Sequence, residues 1–221
     1  MPRIEYRKAV FRNDQSDELY DPDADVILSR VVGGMSPAGG DKPGGIVVLA
    51  EHLVSRPPAP AYVLGVYESF DLGELCRKAT EYMAEYQCQQ YYGNTDNLEF
   101  MQYLEQRNRD VRFGRYKTIH LTDPPYCSST GSIAYFVQEL KRALTPGHKT
   151  LSIIDQRLRE ALSEIAYEQA AGLKEADNPL VAALGYAFVQ LKANPHYYGS
   201  NNSDRRSKTN SDPFRILNER H

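Results

Sequence analysis

The stretch VILSRVVGGMSPAGGDKPGGIVVLAEH, residues 26–52, decides how the rest of the chain is read. Its two ends, VILSRVV and IVVLAEH, are β-branched runs of strand length. The thirteen residues between them hold six glycines and two prolines. Such runs joined by a Gly/Pro-rich connection form a strand, a loose turn and a second strand. Glycine permits backbone conformations and close approaches that a Cβ forbids. The one carboxylate of the connection, Asp41, comes late in it.

Working outward, YVLGVY at residues 62–67 reads as a third strand, and short connections make the three an antiparallel meander. A helix follows over residues 72–86, with Leu72, Leu75, Ala79, Tyr82 and Met83 on one face. CQQYY, residues 88–92, reads as a fourth strand ending at the turn GNTDN, and residues 98–106 form an amphipathic helix. YKTIHL, residues 116–121, reads as a strand followed by loop. Residues 132–144 have helical spacing, TLSII is a short strand, and DQRLREALSEIAYEQ is a helix carrying Leu158, Leu162, Ile165 and Ala166 inward. The last helix starts in NPLVAALGYAFVQL, with Asn178 as N-cap and Pro179 in the first turn. This order predicts an α/β fold with a mixed sheet flanked by helices. Residues 1–25 read as an acidic lead-in, 26–195 as one domain, and 196–221 as a polar, basic tail.

Composition narrows the function. At 221 residues the chain buries one good-sized core, and its net charge of −3 excludes a binder that is basic overall. Any surface for DNA is therefore a local patch, such as Arg205, Arg206 and Lys208 in the tail. Cys76, Cys88 and Cys127 form no CxxC pair, which suits a reducing compartment and argues against a cysteine zinc site. No apolar run approaches the roughly 20 residues that span a bilayer, so a soluble protein without a membrane partner is expected. A complete phosphate-binding loop is absent, because His148 interrupts PGHKT.

Two stretches carry a resemblance. VVGGMSPAGGDKPGGIVVLAE resembles the first hairpin of the nuclease domain in phage terminase large subunits, where a pattern like GxDPAGGGxD precedes an apolar strand. EADNPLVAALGYAF resembles their C-terminal motif of the type DDxxDALxYA. YGNTDNLEF stands where the family has its second acidic segment, and the likeness runs over most of residues 26–191. The resemblance implies a ribonuclease H-like fold and cleavage of double-stranded DNA by two Mg²⁺ or Mn²⁺ ions. It also implies work in the host cytoplasm beside an ATPase motor domain or subunit and a portal ring. Hard cations take carboxylate ligands, and a pair of them stabilises the attacking and leaving oxygens of a phosphodiester.

Laid on that pattern, the first catalytic Asp falls at Ser36, a neutral hydroxyl. Asp41 matches a later Asp of the same turn. Asp96 is the acid of the second segment, with Asn94 as the other equivalent. Asp177 matches the first Asp of the final pair, while Asn178 and Ala182 replace the next two. The resemblance thus implies Ser36, Asp96 and Asp177 as catalytic positions and Asp41, Asp96 and Asp177 as metal ligands. Each also has a structural use: Asp177 favours a helix dipole, and Asp96 and Asp41 suit turns. The alternative is a catalytically silent domain that binds or guides DNA; a resolvase or transposase core is a third reading.

Overall fold

A computed structural model describes residues 5–8, 17–22, 25–37, 41–52, 60–88, 90–111, 118–123, 133–145, 151–153, 155–165 and 178–193. Strands β3 (Val26–Ser36), β4 (Gly44–His52) and β5 (Ala61–Ser69) form an antiparallel meander, as the β-branched runs predict. β3 runs four residues further than the apolar pattern suggests. Its glycines and Ser36 stay in register with β4, Gly34 opposite Val47 and Ser36 opposite Gly45.

Helix α1 (Leu72–Glu85) returns the chain to β6 (Tyr91–Tyr92), which pairs with β3 in parallel. Asp71 caps α1 by accepting from Glu74 N at 2.9 Å, and Gln87, with φ 54°, turns the chain out of it. α2 (Leu98–Val111) then leads to β7 (Leu121–Thr122), parallel to β6. After α3 (Ile133–Leu144), β8 (Leu151–Ser152) adds to the far edge, parallel to β5. Two helices, α4 (Gln156–Glu164) and α5 (Pro179–Ala193), complete the described chain. The strand order is β7-β6-β3-β4-β5-β8.

Some expectations change. Part of the stretch read as lead-in joins the sheet: β1 (Glu5–Lys8) pairs with β2 (Asp17–Asp21), and β2 with the start of β3. The reason is an apolar anchor, since Leu19 faces Leu28 across the ladder and both are buried. The fourth strand is shorter than CQQYY, because the turn at Gln87 keeps Cys88 out of the ladder. Of the described residues of YKTIHL, 118–121, only Leu121 joins β7. Its Ile119 N donates to Asn108 Oδ1 at 3.0 Å and its carbonyl accepts from Asn108 Nδ2 at 2.8 Å, so a side chain of α2 takes the place of a strand.

Both faces of the sheet are covered. β4 alternates Ile46, Val48 and Ala50 toward α1 and α2 with Val47 and Leu49 toward α3, α4 and α5, so residues 44–51 are all buried. A bulge at Leu64 of β5 puts Val63 and Val66 on the same face. α5 is apolar all round, and residues 179–191 are buried between the sheet and α3 and α4. Close approach there answers why the connection is glycine-rich. A Cβ on Gly34 would lie 1.7 Å from the Ala183 carbonyl oxygen, and one on Gly45 would lie 2.8 Å from Pro179 backbone atoms. α5 therefore rests directly on the backbones of β3 and β4. No helix among the described residues is long and apolar enough to cross a membrane.

Candidate functional site

Three parallel strands end on one edge of the sheet. Gly34 pairs with Tyr92 and Tyr92 with Thr122, so Ser36, the turn after β6 and Asp123 follow one another along that edge. α5 begins there too, because its first residues lie against Gly45, the cross-strand partner of Ser36. The carboxyl ends of parallel strands beside a helix start are where α/β sheets place ligands.

Ser36 is fully buried, and its Oγ has no hydrogen-bond partner among the described residues. Strand alternation sets it on the face of Gly34 and Gly45, toward the start of α5. That start is well made: Asn178 Oδ1 accepts from Val181 N at 3.3 Å, and its carbonyl accepts from Ala182 N at 3.0 Å. Asn178 is thus the N-cap its position predicts, with Pro179 in the first turn.

The turn after β6 is held from two sides. Asp96 N donates to Asn94 Oδ1 at 2.9 Å, which closes an Asx turn and leaves the Asp96 side chain exposed. Asp123, directly after β7, accepts from Thr95 N at 2.9 Å and from Thr95 Oγ1. Sequence reasoning did not single out Asp123. The signal was a carboxylate immediately following a strand that ends on the same edge. Asn97 completes the turn by accepting from Phe100 N at 3.0 Å, at the head of α2.

The implied site residues thus divide. Ser36 and the 94–96 turn share one edge, together with Asp123. Asp41 is an exposed turn residue in the connection between β3 and β4. Asp177 lies outside the described residues, as do Arg205, Arg206 and Lys208. Among the described residues, no group of three or more His, Cys, Asp or Glu side chains could hold a metal ion. The described donors do not by themselves fit a pair of Mg²⁺ or Mn²⁺ ions. The residue at the end of β3 is an enclosed neutral hydroxyl, and the Asp123 carboxylate already serves Thr95.

Beneath this edge the interior is inert. Tyr91 OH donates to the Ala79 carbonyl at 2.8 Å, and burial pushes its phenol well above the ordinary range. Burial likewise raises the Cys88 thiol to about 12, so it stays protonated and is no nucleophile near neutral pH. Comparison of the chain with family models, curated proteins and solved structures gives no match.

Proposed function

We propose that the chain is a ribonuclease H-like domain of the kind found in phage terminase large subunits, acting on double-stranded DNA during packaging. The observation that carries this reading is the strand order β7-β6-β3-β4-β5, three strands antiparallel and the next two parallel, with α5 starting at the end of β3. That arrangement supports the fold that the two sequence motifs imply. It brings two of the family's acidic positions, here Ser36 and the 94–96 turn, to one edge, beside the helix that Asn178 caps.

Cleavage, in this reading, depends on Mg²⁺ or Mn²⁺ and is weak. Asp96 and Asp177 are the acids, while Ser36 supplies no charge to hold a second ion. An ATPase motor and a portal ring are the partners that such a role requires. The enclosure of Ser36 favours a second reading, in which the domain holds or guides DNA without cutting it.

Supercoiled plasmid incubated with millimolar Mn²⁺ or Mg²⁺ separates these possibilities. The first reading expects slow, metal-dependent nicking that Asp177→Ala abolishes while DNA binding persists. Binding without nicking favours the silent domain. Neither binding nor nicking overturns both, and nicking that survives Asp177→Ala places the site elsewhere.

A further inference from the structure

At the opposite end and the opposite edge of the sheet lies a cavity of about 790 Å³, bounded by the start of β5, β8, α3 and α4. That volume falls within the roughly 300–1,000 Å³ usual for small-molecule sites. Its walls are largely apolar, with Tyr62, Leu151 and Leu162 among them. Two cations, Lys141 and Arg159, also line it, and no described lining residue is acidic.

Both cations are anchored to backbone rather than paired with a carboxylate. Arg159 Nε donates to the Ile153 carbonyl at 2.8 Å, and Lys141 Nζ donates to the Ile165 carbonyl just past α4. Among the described residues neither takes part in an ion pair, although Arg157, two residues from Arg159, pairs with Asp155. Fixing Nε leaves the two amino groups of the guanidinium as a fork of set orientation, the geometry that grips phosphate or carboxylate with two bonds. Two unneutralised positive charges match a dianion better than a monoanion. The aromatic ring and aliphatic wall match an apolar body attached to it.

We propose that this cavity binds a phosphomonoester with an aromatic body, its phosphate held by Lys141 and Arg159 and its body laid on Tyr62, Leu151 and Leu162. A free mononucleotide and the 5′-phosphorylated end of a nucleic-acid strand share this chemistry. The proposal is independent of the nuclease reading, because it uses none of the residues near Ser36.

Calorimetric titration of the full chain with thymidine 5′-monophosphate, thymidine and inorganic phosphate tests it. The expected order of affinity is monophosphate, then phosphate, then thymidine. Arg159→Gln and Lys141→Gln should each weaken the monophosphate about tenfold and leave thymidine unchanged. Ser163→Glu, at an exposed rim position of α4, should weaken it similarly with an unchanged melting temperature, which keeps the test valid if a cation variant misfolds. A 5′-phosphorylated trinucleotide that binds at least as well as the monophosphate assigns the ligand to a strand end; weaker binding assigns it to the free nucleotide. Thymidine binding as tightly as its monophosphate overturns the proposal. So does an affinity that Ser163→Glu and both glutamine variants leave intact, or the absence of saturable binding at millimolar monophosphate.

Discussion

Ser36 keeps a hydroxyl out of water without a partner among the described residues, at the point where α5 begins. An unsatisfied buried hydroxyl costs about 1–3 kcal/mol of desolvation, so Ser36→Ala should raise unfolding stability by about 1 kcal/mol in urea titrations. Ser36→Asp should do the reverse, since a buried unpaired carboxylate is far costlier than a hydroxyl. If the edge is a metal site, millimolar Mn²⁺ should recover much of that loss and leave the wild type almost unmoved. A deficit indifferent to Mn²⁺ would count against metals at this edge. Gly34 tolerates no side chain, because its Cβ would enter the Ala183 carbonyl. Gly34→Ala should destabilise by about 3 kcal/mol, whatever becomes of activity. Cys88 sets an alkaline limit. Its thiol is raised by burial from 9.0 to about 12 in the folded chain, so the folded state favours the protonated form. That contribution is complete below pH 9 and is lost as pH climbs toward 12. Cys88→Ala should flatten the fall in melting temperature across this window.

At the scale of elements, what the sequence reveals depends on whether an element's residues are chosen by their own period or by a partner. β3, β4 and β5 are apolar runs bounded by turn residues, and α1 repeats its apolar positions at helical spacing, so each can be read alone. The N-cap Asn178 is equally legible, and Asp71 and Asp155 play the same part at α1 and α4, each accepting from a first-turn amide. Asn178→Ala should therefore cost about 1 kcal/mol, read from the urea midpoint at unchanged slope. β6, β7 and β8 have two residues each, and their pairing follows from the neighbours that hold them rather than from any pattern of their own. β2 is the same kind of case, since a single leucine opposite Leu28 decides that an acidic segment becomes strand. The candidate edge was partly visible, because Ser36 falls in the glycine-rich stretch between the apolar runs and Asp96 in a recognisable turn. Asp123 was not, because its importance lies in a bond to Thr95, 28 residues earlier. Asp123→Asn should loosen the turn at the head of α2, seen as faster amide exchange at Thr95 with little change in global stability.

Taken as a whole, the molecule is a mixed sheet with one helical layer on one face and two on the other, and α5 is the innermost helix of the thicker side. α5 is fixed along its length. Gly45 and Gly34 receive its first half, and Arg30 on β3 donates to the Gln190 carbonyl at 3.2 Å and the Leu191 carbonyl at 3.4 Å near its end. Arg30 also pairs with buried Glu51 at 3.4 Å, so Arg30→Met should cost about 1.5–3 kcal/mol by thermal or urea unfolding. Arg30 and Leu191 are 161 residues apart. On a ribosome adding roughly 5–20 residues per second, the strands emerge about 10–30 s before the helix that covers them. During that interval Val32, Val47 and Leu49 form a bare apolar face on a nascent chain, where a holding chaperone would be of most use. A chain released after residue 177 should keep this face uncovered, bind a hydrophobic dye strongly and precipitate on warming, while the full chain does neither. Helix α5 is thus the step that ends this face's exposure to aggregation on the nascent chain.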